Sequence, residues 1–106
     1  MYKVLLADDE PYALVVLRKI IVWEEHGFCI VGTAEDGVSA LKMAHDLKPD
    51  VVFTDIRMPR MNGLELITEL HKLNEKMLIV CVSGYNEFTY VQQGLRLGVS
   101  DYLLKP

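Results

Sequence analysis

The chain has 106 residues, of which 51% are hydrophobic and 25% charged, and its net charge is −4. This length fits one domain with a core of its own, and the composition is that of an ordinary globular protein. The acidic balance argues against nucleic-acid binding by this chain alone, because such binding requires a basic face. No apolar stretch approaches the roughly 20 residues of a membrane span, and no signal peptide is visible. Cys29 and Cys81 lie in apolar runs without metal-binding spacing, which indicates core residues in a reducing, cytoplasmic compartment.

The first part of the chain alternates strand and helix signals. Residues 2–7 form an apolar run, which predicts a strand buried on both faces. Pro11 and the helical spacing of apolar residues over 12–22 predict the first helix. Residues 28–34 predict a second strand, and the preceding Glu24-Glu25 pair is expected in a solvated loop.

The same alternation continues to the last residue. Asp36-Gly37 predicts a turn before the second helix, and Met58–Gly63 predicts a loop before the third. The remaining helices are predicted over 38–47, 64–73 and 88–97, and the remaining strands over 51–54, 77–82 and 99–104. This βαβαβαβαβ order with short crossovers predicts an α/β fold, with a parallel five-stranded sheet and helices on both faces.

Four charged residues follow predicted strands directly. Asp8 and Asp9 follow the first strand, Asp55 follows the third, and Lys105 follows the fifth. Ligands of open parallel sheets bind outside the carboxyl ends of the strands, so these side chains are expected to meet at one edge. Three carboxylates there would repel one another unless a cation joined them, and an all-oxygen site suits Mg²⁺. The sequence therefore predicts a site where a phosphoryl group is put on, or taken off, an aspartate.

The order of several short motifs adds a family resemblance that spans the whole chain. The motifs are Asp8-Asp9-Glu10, Asp55-Ile56-Arg57-Met58-Pro59, Asn62-Gly63, Ser83-Gly84 and Asp101-Tyr102-Leu103-Leu104-Lys105-Pro106. Any one of them is weak, but the ordered set resembles the receiver domain of bacterial two-component response regulators. The runs Trp23–Phe28 and Gly84–Phe88 show a second, weaker resemblance, to regulators with an AraC-type helix-turn-helix output domain.

The resemblance implies a flavodoxin-like sheet with strand order 2-1-3-4-5, in which the acids lie at the topological switch point. It implies that Asp55 is the nucleophile, and that Asp9, Asp55 and the Arg57 carbonyl bind Mg²⁺ directly. Asp8 would act mainly through a water molecule. Lys105 would hold a phosphoryl oxygen.

The resemblance also implies a switch made of two residues. The Ser83 hydroxyl would meet the phosphoryl group, and Tyr102 would change its side-chain rotamer in response. Read singly, Ser83 is a turn residue, Tyr102 is a half-buried strand aromatic, and Asp8 and Asp9 are solvated strand-end acids or helix caps. For Glu10, a role in the first helical turn is favoured over a role as a ligand.

Partners and chain organisation follow from the same resemblance. The phosphoryl donor would be a phosphohistidine on a sensor histidine kinase, and the state would be relayed to a DNA-binding output domain that regulates transcription. Residues 1–106 are interpreted as one receiver domain truncated at its C-terminal end, without the usual fifth helix. The apolar surface so exposed is expected to favour self-association, for example as a dimer.

Two other functional classes remain open at this stage. A phosphatase of the haloacid dehalogenase type also uses an aspartate nucleophile and Mg²⁺, but needs a second acid two positions later. That position holds Arg57 after Asp55 and Glu10 after Asp8, and there is no room for a substrate cap domain. A receiver-like scaffold that works without phosphorylation would usually lose an acid or the lysine, and none is lost here.

Overall fold

The computed structural model describes residues 1–84, residues 92 and 96, and residues 101–104, with Ser83 and residues 101–104 described by their backbone alone. The strands are β1 (Tyr2–Ala7), β2 (Phe28–Ala34), β3 (Val51–Thr54), β4 (Leu78–Ser83) and β5 (Asp101–Leu104). The helices are α1 (Pro11–Ile20), a 3₁₀ helix (Trp23–His26), α2 (Gly37–Leu47) and α3 (Gly63–Leu73). None of the helices in this described part has the length and apolarity that a bilayer crossing demands.

The five strands form one parallel sheet in the order β2-β1-β3-β4-β5. This confirms the predicted α/β class and strand order. Successive residues of β1 face opposite sides of the sheet, so both faces must be covered. Leu5 and Ala7 pack under α2 and α3, whereas Val4 and Leu6 pack against α1 and Trp23.

The element bounds agree with the sequence predictions to within two residues at each described end. The bounds of β2 and β3 are those predicted, whereas β4 runs over Leu78–Ser83 instead of 77–82. For β5 the structure gives Asp101–Leu104, and the two residues predicted before it lie outside the described part. The predicted helix over 88–97 also lies outside it, apart from residues 92 and 96, and remains a prediction.

The end of α1 and the segment after it differ from the prediction. The helix ends at Ile20, two residues before the predicted end, and Trp23 begins a single 3₁₀ turn in place of the expected loop. Trp23 is buried, with its ring edge-on to Phe53 at 5.3 Å between centroids. Its indole Nε1–H donates to the Leu17 carbonyl at 3.1 Å. Burial of this ring turns the chain away from the helical path, while Glu24 and Glu25 stay exposed as predicted.

Two helices begin with side-chain caps that the sequence supplies. Asp36 accepts a hydrogen bond from the Ser39 amide at 2.7 Å and starts α2. Asn62 accepts from the Glu65 amide at 2.9 Å, and the Glu65 carboxylate accepts from the Asn62 amide at 3.2 Å. This capping box starts α3 beside the carboxyl end of β3.

Strand β2 carries one irregularity. Val4 pairs with Ile30, but the next residue of β1, Leu5, pairs with Gly32, so Val31 is an extra residue in the ladder. Such a bulge bends its strand and increases the local twist. A Cβ atom at Gly32 would lie 3.2 Å from the Leu47 side chain, so the glycine lets the last turn of α2 pack closely.

Candidate functional site

Three acidic side chains meet at the carboxyl edge of the sheet, as the sequence predicts. Ala7 at the end of β1 pairs with Thr54 at the end of β3, so Asp8, Asp9 and Asp55 leave the sheet side by side. One carboxylate oxygen from each of the three lies within 4.8 Å of the others. Asp8 is completely buried and Asp55 nearly so, whereas Asp9 is exposed.

Backbone hydrogen bonds set the direction of the two buried carboxylates. Asp55 Oδ1 accepts from the Ile56 amide at 2.7 Å, and Asp8 Oδ1 accepts from the Glu10 amide at 3.0 Å. The Asp55 amide donates to the Ala7 carbonyl at 2.8 Å, which continues the β1–β3 ladder up to the acid itself. These bonds fix one oxygen of each carboxylate against the main chain. Glu10 occupies the N-cap position of α1, but its exposed side chain makes no capping hydrogen bond.

The electrostatics of the cluster show the cost of bringing the acids together. Although the Asp9 side chain is exposed, its neighbours remove part of its hydration and so raise its pKa, and the negative charge of Asp8 raises it further. Burial, together with the charge of Asp55, raises the pKa of the Cys81 thiol to about 11. The thiol is therefore protonated at neutral pH, which argues against a role as a thiolate nucleophile.

The donor set fits a hard divalent cation. Carboxylate oxygens alone, clustered within a few ångströms, are the ligands that Mg²⁺ prefers, and Mg²⁺ keeps several waters besides one or two carboxylates. A cation would also offset the repulsion from Asp8, which is the second cause of the raised Asp9 pKa after the loss of hydration. The residues present thus fit the metal predicted from the sequence, and Asp8, Asp9 and Asp55 are the acids whose oxygens are close enough to share one ion.

An open cleft of about 430 Å³ lies beside Asp9, one member of this cluster. Its wall consists of Asp9 and of residues from the loop between β3 and α3, namely Ile56, Arg57, Met58, Pro59 and Asn62. Arg57 is exposed on that wall, two residues after Asp55. The cleft is therefore shaped mainly by one loop, which follows Asp55 directly in the chain.

The loop is held close to Asp55 by the start of α3. The Gly63 amide donates to the Ile56 carbonyl at 2.6 Å. A Cβ atom at Gly63 would overlap the Asp55 carbonyl oxygen and lie 2.7 Å from Ile56 Cα. The buried Thr54 hydroxyl donates to the same Asp55 carbonyl at 2.8 Å. Only glycine allows α3 to begin so near the acid.

The other predicted site residues lie at the same edge or outside the described part. Ser83 is the last residue of β4, and its backbone pairs with Leu104, the residue before Lys105. The side chains of Ser83 and Tyr102, and the whole of Lys105, are outside the described residues. Their assigned roles therefore remain predictions.

One feature of the site was missed by the sequence analysis. Arg60, in the β3–α3 loop, contacts the carboxylate of Asp36 at the start of α2, with Nη1 and Oδ2 3.4 Å apart. An aspartate at the start of a helical pattern is a helix-start signal, so the capping role of Asp36 could have been predicted from the sequence. Its contact with Arg60, 24 residues later in the chain, could not.

Comparison with known proteins agrees with this architecture. The profile of the response regulator receiver domain family matches residues 4–106. The solved structure of a selenomethionine derivative of the REC domain of AraT, a response regulator from Geobacillus stearothermophilus, superimposes with a TM-score of 0.95. The two share 42% sequence identity, and the match covers 99% of this chain and 81% of that one.

Curated relatives match over the full length of the chain but are much longer. The transcriptional regulatory protein HptR of Staphylococcus aureus is 42% identical over 106 residues, which are 41% of its length. The transcriptional regulatory protein YesN of Bacillus subtilis is 41% identical over 106 residues, which are 29% of its length. The chain thus spans less than half of each of these relatives.

Proposed function

Because this chain belongs to the response regulator receiver domain family, we propose that it is a phospho-accepting signalling switch whose phosphorylation site is Asp55. The observation that carries the proposal is the cluster of Asp8, Asp9 and Asp55 at the carboxyl edge of the sheet. Asp55 is chosen among the three because it directly follows β3 and precedes Ile56, which lines the open cleft together with Asp9.

In this proposal the residues of the chain position the reaction and neutralise charge. A carboxylate oxygen of Asp55 attacks the phosphorus of the donor, the bond from phosphorus to the leaving group breaks, and an acyl phosphate forms. Mg²⁺ would be held by Asp8, Asp9, Asp55 and the Arg57 carbonyl, and when bound it neutralises charge on the phosphoryl oxygens. The Ile56 amide, which donates to Asp55 Oδ1, keeps the attacking group oriented. Lys105 and Ser83 would each contact a phosphoryl oxygen.

The partners are proposed from family membership and from the lengths of the relatives. A sensor histidine kinase would supply the phosphoryl group in the cytoplasm, where the free thiols of Cys29 and Cys81 stay reduced. Since HptR and YesN are transcriptional regulators of more than twice this length, the whole protein is proposed to carry an output domain that binds DNA. Residues 1–106 would be its receiver domain.

Intact-mass measurement tests the phosphorylation site. The chain is incubated with acetyl phosphate and Mg²⁺, and we expect the mass of one phosphoryl group to be gained. Asp55→Asn should abolish the gain, whereas Asp46→Asn, at an exposed site on α2, should leave it unchanged. A gain of undiminished yield in Asp55→Asn would disprove the assignment. Steady hydrolysis of phosphate esters by the wild type would favour a phosphatase instead.

A further inference from the structure

The loop that walls the cleft contains one strained turn, centred on Arg60. The Met61 amide donates to the Pro59 carbonyl at 2.8 Å, which closes a turn of three residues. Arg60 at its centre has φ +69°, in the left-handed region that side chains other than glycine rarely adopt. Turns of three residues with positive φ are rare and strained, and such strain persists only where the surroundings hold it.

The surroundings that hold the turn come from the start of α2. Arg60 Nη1 lies 3.4 Å from Asp36 Oδ2, and the Asp36 carboxylate is itself fixed by the amide and hydroxyl of Ser39, at 2.7 and 2.9 Å. The Ser39 amide, and to a lesser degree Arg60, lower the pKa of Asp36, which keeps it ionised. Behind the ion pair, a Cβ atom at Gly37 would overlap the Met61 carbonyl and lie 2.6 Å from Met61 Cβ. The first turn of α2 is therefore packed directly on the strained turn.

The same turn connects to the acid cluster at its other end. Pro59 and Asn62, on either side of it, line the cleft together with Asp9. Asn62 caps α3, and the amide of the next residue, Gly63, binds the carbonyl of Ile56, the neighbour of Asp55. A change in the turn at Arg60 would thus be transmitted through a few backbone bonds to the residue that orients the Asp55 carboxylate.

We propose that Asp36 and Arg60 are a positioning pair for the Asp55 site: their ion pair holds the strained turn and with it the cleft wall in the arrangement that binds the cation and admits the phosphoryl donor. This inference rests on the proposed function of Asp55. Neither residue touches the reacting atoms, so both act through the loop. Loss of the pair should weaken Mg²⁺ binding and slow phosphorylation without unfolding the chain.

Two substitutions that leave the cap of α2 in place test the pair. Asp36→Asn keeps a capping oxygen for the Ser39 amide, because asparagine caps helices as well as aspartate does. Arg60→Gln removes the positively charged guanidinium that contacts Asp36. An exposed ion pair changes an equilibrium by up to about fivefold. We therefore expect each variant to weaken the Mg²⁺ affinity, measured by calorimetric titration, by roughly two- to fivefold.

The signs of the two single effects on Mg²⁺ affinity, together with the double variant, distinguish a positioning pair from a direct long-range effect of either charge on the cation. Removing a positive charge at Arg60 would by itself strengthen cation binding, and removing a negative charge at Asp36 would weaken it. A positioning pair predicts that both variants weaken binding, and that the double variant is no worse than either single one. Arg60→Lys, which keeps the charge, should retain most of the wild-type affinity. At about 1 M salt, where charges are screened within roughly 3 Å, wild type and Arg60→Gln should converge.

Amide hydrogen exchange supplies a readout that does not depend on the metal. The Met61 and Gly63 amides should exchange faster in Asp36→Asn and Arg60→Gln than in the wild type, while amides of β1 keep their protection. Opposite effects of the two single variants on Mg²⁺ affinity, or unchanged exchange at Met61, would overturn the proposal. If the wild type gains no phosphoryl group on Asp55, the proposed function is refuted instead. The exchange and titration measurements can still be made in that case, because neither depends on phosphorylation.

Discussion

Replacing Asp8 by asparagine should stabilise the fold in the absence of Mg²⁺, although it damages the site. Carboxylate oxygens of Asp8 and Asp55 lie within 4.8 Å of each other, and both side chains are buried. At an effective dielectric constant of roughly 20, two unit charges at that distance repel by about 3.5 kcal/mol. Relaxation of the surroundings reduces this figure, so we expect Asp8→Asn to raise the free energy of unfolding by about 1–2 kcal/mol, in the range typical of stabilising substitutions.

Thermal unfolding with and without Mg²⁺ measures the effect. For a domain near 100 residues, each kcal/mol raises the melting temperature by roughly 4–8 °C. The asparagine that replaces Asp8 can still accept from the Glu10 amide, so that hydrogen bond is retained. When Mg²⁺ is added at about 100 times its dissociation constant, the wild type should gain roughly 2.7 kcal/mol by binding it, and the variant less. The excess in free energy of unfolding of Asp8→Asn over the wild type should therefore shrink as Mg²⁺ is added.

The control and the pH dependence make this prediction specific. Asp46→Asn, which removes an exposed carboxylate outside the cluster, should change stability by less than about 0.5 kcal/mol. Because the pKa of Asp9 is raised in the folded state, its contribution to stability is complete at low pH and is lost as the pH rises through that raised value. The advantage of Asp8→Asn should thus be largest at neutral pH and shrink as the pH falls. An Asp8→Asn protein that melts below the wild type in metal-free buffer at pH 7 would refute the reasoning.

Three further predictions concern the loop, the rate of phosphate loss and the switch. Gly63→Ala should lower the free energy of unfolding by about 1–3 kcal/mol and slow phosphorylation, because the added Cβ would overlap the Asp55 carbonyl. Denaturant unfolding curves measure the first effect, and the time course of the mass gain measures the second. Arg57→Asn should speed dephosphorylation, since an exposed bulky side chain on the cleft wall is exchanged for an amide that can orient water; an equal or slower loss of phosphate would contradict this. If Ser83 and Tyr102 form the switch, beryllofluoride, a phosphoryl mimic, should change amide exchange over residues 84–102, and an unaltered exchange pattern there would exclude it.

Local sequence signals were sufficient for the strands, and a parallel sheet was sufficient to expect the acids at one edge. The bounds of β2 and β3 could be predicted because turn residues flank short apolar runs. That β1 and β3 are neighbours, which brings Asp8 beside Asp55, was implied by the family resemblance. The end of α1 could not be predicted, because the apolar run continues past Ile20 without a break in pattern. Burial of Trp23 against Phe53, a contact between distant residues, decides where that helix stops.

Long-range contacts also explain what was missed at the site. The pair of Asp36 and Arg60 joins two segments whose approach is set by the packing of α2 beside α3. Likewise, the sequence shows Asn62-Gly63 as a motif, but not why a glycine is needed there. The structure supplies the reason, because the start of α3 lies against the Asp55 carbonyl and leaves no space for a Cβ atom. Propensity and periodicity describe one element at a time, whereas these features depend on how close two elements come.

The bulge at Val31 has a consequence for the behaviour of this chain at high concentration. Strand β2 lies at one end of the sheet, and an edge strand offers its outer N–H and C=O groups as a template on which another chain can add a strand. The extra residue between Ile30 and Gly32 interrupts the regular spacing of those groups and twists the strand. The bulge therefore disfavours regular pairing of a second molecule with β2 along its full length, which is one way in which natural proteins limit strand addition at a sheet edge.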